Sequence, residues 1–232
     1  MSTTDVSAFP IERDRHAHQR TSEINVASSF RAEATQSDNQ GINAMQKSVE
    51  LNGQNPADLL RDRSLAGIEA AASKTVIEAG QGFNEYLWSE IPICEHMQIR
   101  ALPFSRERFV LLAPLAPNRN VHGTAFAGSL YTVMSMAGWG LIRVELDRQL
   151  GQATGKRADL WLTKANIRYA DPVTDGFAAV AETDQRSLDQ FWQKLLRKGR
   201  GKMRLNTIIG DPKSPLVTVQ GEYAAKLIDN ND

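Results

Sequence analysis

From Val121 to Ile142 the chain carries no Asp, Glu, Lys or Arg, and Phe126, Leu130, Val133, Met134, Ala137, Trp139 and Leu141 are spread over every side of a helix. A helix of that profile is either buried all round or crosses a membrane, for which about 20 residues suffice. Gly123, Gly128, Gly138 and Gly140, with Ser129, Thr132 and Ser135, weaken the membrane reading, and strand patterns on both sides offer something to wrap the helix. No membrane span is expected.

Upstream, Phe83, Leu87 and Ile91 share one face of a short amphipathic helix that Pro92 ends. Met97–Ser105 and Arg108–Leu115 read as a hairpin turning at Ser105-Arg106-Glu107. Downstream the period falls to two. Ala158, Leu160 and Leu162 alternate with polar neighbours, as do Ala165, Ile167 and Tyr169, and Phe177–Thr183 follows as a further strand; together they read as a long hairpin. Ser187 is the expected N-cap of a helix running to Lys198 with Leu188, Phe191 and Leu195 on one face. Two more alternating runs flank the turn Gly210–Pro215. The expectation is an α+β fold: a curled antiparallel sheet of about six strands round one long apolar helix. Pattern alone ranks this ahead of a two-layer ferredoxin-like arrangement.

Composition divides the chain. Of sixteen aromatic residues only Phe9 and Phe30 fall in the first eighty positions. Residues 1–80 are therefore expected to form a largely disordered polar tail, since ordering each residue costs roughly 1–2 kcal/mol that so few apolar groups cannot offset. Leu59, Leu60, Leu65, Ile68, Ala71 and Ala72 give a weak helical pattern over 56–79, and residues 81–232 form the folded domain. With 27 basic and 27 acidic residues and a pI near 6.9, no global field favours nucleic acid or an acidic membrane. A single cysteine, Cys94, and no signal-like N-terminus suggest a reducing, cytoplasmic setting. His16 and His18 lack a second cluster, so no metal site is expected.

The segment Asn118-Arg-Asn-Val-His-Gly-Thr-Ala-Phe-Ala-Gly-Ser-Leu130, continuing to Ala137-Gly-Trp-Gly-Leu141, resembles the thioesterase family known as the YiiD C-terminal domain. Tyr86-Leu87-Trp88 with Ile91-Pro92, Ile167-Arg168-Tyr169 with Pro172-Val173, and the basic stretch after Trp192 extend the likeness over most of 83–227. The resemblance implies a hot-dog fold, a homodimer or dimer of dimers formed by joining sheets edge to edge, and hydrolysis of acyl thioesters of coenzyme A or acyl carrier protein without a cofactor.

That chemistry needs donors for a developing oxyanion, a group to activate or orient water, and a groove for the acyl chain. If the apolar helix starts near Gly123, the N–H groups of Gly123, Thr124 and Ala125 point from its positive end. Asn120 and His122 just before it are candidates to orient water or serve as base, and the resemblance extends to them. Ser129 can position water, although without a strong base beside it a serine is a poor nucleophile. Many hot-dog enzymes place a carboxylate on this helix; here the first acid is Glu145, near its end. That departure keeps open a non-catalytic module that binds acyl thioesters in the same groove. Lys198, Arg200 and Lys202, within six basic residues over 194–204, are candidates for the phosphates of coenzyme A, or simply a solvated helix end.

Overall fold

The computed structural model describes residues 74–150 and 156–229; the expected polar tail and most of the weak helix over 56–79 lie outside them. Helix α1 (Lys74–Glu90) is longer than the expected Phe83–Ile91 element and is followed directly by α2 (Pro92–His96). Strands β1 (Arg100–Ser105) and β2 (Arg108–Ala113) form the expected hairpin, and a one-turn 3-10 helix (Ala116–Asn118) leads towards the long helix α3 (Ala127–Leu150). Strands β3 (Lys156–Tyr169) and β4 (Phe177–Glu182), helix α4 (Gln185–Lys198), and strands β5 (Arg200–Asp211) and β6 (Ser214–Asp229) complete the chain.

The six strands make one antiparallel sheet in the order β1-β2-β4-β5-β6-β3. Two expectations are corrected. Strands β3 and β4 are not a hairpin: β3 pairs with β6 at one edge, while β4 lies between β2 and β5. The two runs 158–162 and 165–169 are one strand whose register slips between Leu162 and Lys164, where Thr163 is the extra residue. A bulge of this kind returns both apolar sets to the same face. The second correction concerns α4, whose N-cap is Asp184; its carboxylate accepts from both the backbone N–H and the hydroxyl of Ser187.

Helix α3 crosses the inner face, where Val133, Met134, Ala137, Leu141 and Leu146 meet Phe109, Leu111, Ala179, Leu205, Val219 and Tyr223 in one core. Close approach is built in at Gly138, where an added Cβ would collide with the Tyr223 hydroxyl. That hydroxyl donates to the carbonyl of Ser135. Helix α1 runs along the outer edge of β1: Asn84 accepts from the Ala101 N–H, and the Trp88 indole donates to the Ile99 carbonyl. One sheet edge is thus capped by a helix, while among the described residues no strand pairs with the outer edge of β3, whose Ala158 and Leu160 carbonyls accept from Arg143 and Trp139. Among the described residues no helix is long and apolar enough to cross a membrane.

Candidate active site

The motif segment folds as a small hairpin in front of α3. Arg119 bridges Ala125, the Asn120 N–H donates to the Thr124 carbonyl, and the Gly123 N–H donates back to the Asn120 carbonyl. Asn at the first position of a turn and Gly at the fourth is the residue choice such a turn favours, and Gly123 takes φ = 79°, where a side chain would be strained. Asn120 holds this turn together. Its side-chain oxygen accepts from the His122 and Thr124 N–H groups, and its amide nitrogen donates to the Thr124 hydroxyl and, at 3.4 Å, the Ala125 carbonyl. Asn118, almost fully buried, anchors the base by donating to the carbonyls of Met97 and Pro114, while its own carbonyl accepts from the Phe126 N–H.

The long helix therefore begins at Ala127, not near Gly123. The N–H groups of Gly123, Thr124 and Ala125 are already donated, the last to the Val173 carbonyl. The helical ladder opens with the Leu130 N–H on the Phe126 carbonyl, which leaves the N–H groups of Ala127, Gly128 and Ser129 without an acceptor among the described residues. These three, not the earlier set, stand at the positive end of the helix dipole. Ser129 is half-buried in this first turn. Further along, the Thr132 hydroxyl donates to the Gly128 carbonyl and the Ser135 hydroxyl to that of Thr132, so both are satisfied by their own helix.

Around this helix end the surface is open and apolar. Val121 and His122 stand exposed at the turn tip, and Phe126 is 53% exposed beside Gly128, where a Cβ would collide with its ring. Sequence reasoning missed Tyr169, the last residue of β3, whose hydroxyl donates to the Ala127 carbonyl at 3.0 Å. Burial raises its phenol above the ordinary range, and neighbouring Tyr131 adds to the shift. An aromatic at the end of an alternating strand was the available signal.

The basic candidates are elsewhere. Arg200 pairs with Lys226 and through it with Asp159, whereas the loop sits at the Tyr169–Val217–Ile209 end of the sheet. Nine residues of β5 separate the two levels, about 30 Å at strand rise. Lys202 and Arg204 both donate to Glu222 on the outer face. One chain therefore does not bring Lys198, Arg200 and Lys202 to Asn120 and His122. Cys94 is buried and its thiol is pushed up to about 11 by desolvation, which suits packing and not nucleophilic attack.

These residues lie inside a family model that matches 80–227 and is described as "Putative thioesterase (yiiD_Cterm)". The chain belongs to this thioesterase family. Among solved structures it is similar to a "putative thioesterase from Shewanella oneidensis", at 32% identity over 63% of this chain and 96% of that one, with a TM-score of 0.53. A protein of unknown function from Chlorobaculum tepidum matches at 26% identity over 64% and 94%, with a TM-score of 0.58. A third structure, from Pseudomonas aeruginosa, is 17% identical over 62% and 93% with a TM-score of 0.52, and supports the fold alone. The architecture is the hot-dog fold.

Proposed function

We propose that this thioesterase-family chain hydrolyses acyl thioesters of coenzyme A or acyl carrier protein, with the thioester carbonyl polarised at the N-terminus of α3. The observation that carries the reading is the set of three unengaged N–H groups, Ala127 to Ser129, opening onto exposed Phe126 and Val121. An oxyanion forming there meets fixed donors at the positive helix end, and the apolar surface receives the acyl chain. His122 on the turn tip is the group that takes a proton from water or orients it, Ser129 positions that water, and Asn120 fixes the turn that presents His122.

The reading includes a homodimer or dimer of dimers. Strand β3 is 14 residues long and, among the described residues, has no strand on its outer side; antiparallel pairing of two copies about its midpoint sets Tyr169 of one copy near Lys156 of the other. That arrangement sets the second copy's β5 start, with Lys198, Arg200 and Lys202, level with the α3 N-terminus along the sheet; because Arg200 and Lys202 stand on the outer face, these groups serve distal phosphate or an acidic carrier and not the thioester itself. A cytoplasmic setting, suited to such substrates, belongs to the same reading.

One observation favours the alternative of a binding module: the first carboxylate of α3 is Glu145, eighteen residues from the helix start and engaged elsewhere. Free-thiol release from a panel of acyl-coenzyme A and acyl-carrier-protein substrates separates the two. The full chain is expected to turn over at least one substrate, and an Asn120→Ala, His122→Ala double variant to lose about a hundredfold, roughly 2.7 kcal/mol of barrier. Saturable binding without turnover by folded protein would support the module and sink the hydrolase reading.

A further inference from the structure

The outer face of β5, β6 and β3 collects positive charge. Six basic side chains stand there: Arg200 and Lys226 in one cross-strand row, Lys202 in the next, Arg204 and Lys164 in a third, and Arg168 in the last. They alternate with Met203, Leu205, Ala225 and Ala158, which belong to the core on the other face. Two acids answer them. Asp159 lies opposite Lys226, and Glu222 already accepts from Lys202 and Arg204. The whole chain has equal numbers of basic and acidic residues, so the excess belongs to this face.

Its size and contents narrow the partner. From the Arg200 row to the Arg168 row β5 runs about 26 Å, and three strands are about 10 Å across, longer than the phosphate cluster of one nucleotide. Trp161 stands within the strip, 45% exposed, across Ala224 from Lys202. A large ring on an otherwise polar face is the anchor around which protein interfaces concentrate their binding energy. The strip also leads to the candidate site. Arg168 ends it, and the next residue, Tyr169, turns to the other face, where its hydroxyl donates to the Ala127 carbonyl at the start of α3. One end of the strip thus adjoins the helix donors of the same chain.

We propose that this face docks an acidic protein surface, and that the carrier of the substrate is therefore acyl carrier protein in preference to coenzyme A; the second half rests on the hydrolase reading above. Three features fit an acidic protein better than a nucleic-acid strand or a second copy. Asp159, Glu222 and the polar row of Asn206, Gln220 and Asn166 offer acceptors to the amides and lysines of a protein, and the two acids repel a continuous line of phosphates. Trp161 gives one stacking position, where a strand of bases is held by several. Two copies laid face to face here repel each other through their shared excess of positive charge.

Fluorescence-anisotropy titration of the full chain into dye-labelled holo acyl carrier protein, bearing its pantetheine arm and no acyl group, tests this. Saturable binding is expected, weakening about tenfold between roughly 50 and 300 mM salt. A Lys164→Gln, Lys226→Gln double variant, which leaves Glu222 its Lys202 and Arg204 partners, is expected to bind about fivefold more weakly at the low salt, and Trp161→Ala to lose a similar factor that salt does not restore. No binding by the folded parent chain, or equal binding by parent and both variants, overturns the proposal. A labelled single-stranded oligonucleotide bound more tightly than the carrier would also overturn it and assign the face to nucleic acid. The probe holds no thioester, so the result is independent of turnover. Carrier binding without hydrolysis of any substrate would sink the hydrolase reading and leave the docking face standing; turnover of acyl-coenzyme A without carrier binding would do the reverse.

Discussion

The two ends of α3 are built on opposite plans. At the C-terminal end Glu145, 2% exposed, accepts from Arg106, Arg148, Gln149 and the Trp192 indole, and so ties the helix to the β1–β2 turn and to α4. One turn away Arg143 pairs with Asp147 and donates to the Ala158 carbonyl. At the N-terminal end, among the described residues, three N–H groups stay unengaged, Val121, His122 and Phe126 face solvent, and the side-chain tie from the sheet is Tyr169 on Ala127. A fold consistent at every level leaves polar groups unpaired and apolar groups exposed mainly where a ligand or another copy meets it. The saturated end sets the helix in place; the unsaturated end is where its donors are offered.

The comparison breaks most visibly at Glu145. Glu145→Ala removes a buried acceptor shared by four donors and leaves the Trp192 N–H unpaired. Breaking a buried ion pair costs 3–5 kcal/mol, and the lower end, about 3, applies because Arg106 and Arg148 still reach water. The thermal midpoint should fall by roughly 6–12 °C. The pH dependence is also fixed in sign. Burial pushes the Glu145 carboxyl up, but hydrogen bonds from Arg148 and Arg106 outweigh it and hold the group below its ordinary value. Its contribution is therefore present above about pH 4.3 and lost as pH falls through the depressed folded value, and urea unfolding of parent and variant should converge in acid. A parallel pair of curves would show that the clamp does not carry this stability.

Much of this contrast was legible in the sequence, but unevenly. The charge-free run revealed α3 because a helix enclosed by sheet must be apolar all round. The helix starts at Ala127, four residues after the expected Gly123, because Asn120 and Gly123 close a turn of their own before it. In β3 the bulge was written as a change of parity, Ala158, Leu160 and Leu162 giving way to Ala165, Ile167 and Tyr169. Which strand β3 pairs with was not readable, since β6 lies about fifty residues downstream and local pattern carries no partner. Glu145 was noticed only as a carboxylate out of place; Arg106 and Trp192 reach it across 39 and 47 residues. The motif loop was found, yet the work of Asn120 in shaping it needed coordinates.

A smaller effect sharpens the other end. Asn120→Ala removes the side chain that holds the turn from His122 to Ala125, and its four bonds are partly replaced by water. Stability should fall by about 1 kcal/mol, while turnover on the best thioester substrate falls 10- to 100-fold, about 1.4–2.7 kcal/mol of barrier. The loss should be mainly in kcat, because the acyl surface at Phe126 is untouched. Asn120→Asp keeps the acceptor for the His122 and Thr124 N–H groups and should recover part of the rate. A variant with full kcat and only a raised KM would make the turn a binding surface and not a catalytic support.

The smallest expected change is at Tyr169, where the sheet touches the open end of the helix. Tyr169→Phe removes a single neutral donor from the Ala127 carbonyl, and because the side chain is 46% exposed the cost should stay below about 1 kcal/mol. Its pH signature is the reverse of that of Glu145. The raised phenol favours the folded state fully below the unfolded value near pH 10, and that favour is lost as pH rises through the folded value. Denaturation at pH 8 should therefore show a small deficit in the variant, and at pH 10.5 the deficit should shrink. A deficit that grows with pH would mean that the ionised phenolate is the form held at the helix N-terminus, where the dipole favours an anion. The helix end would then recognise the charge of Tyr169 itself, and its donors would not be open to a substrate carbonyl.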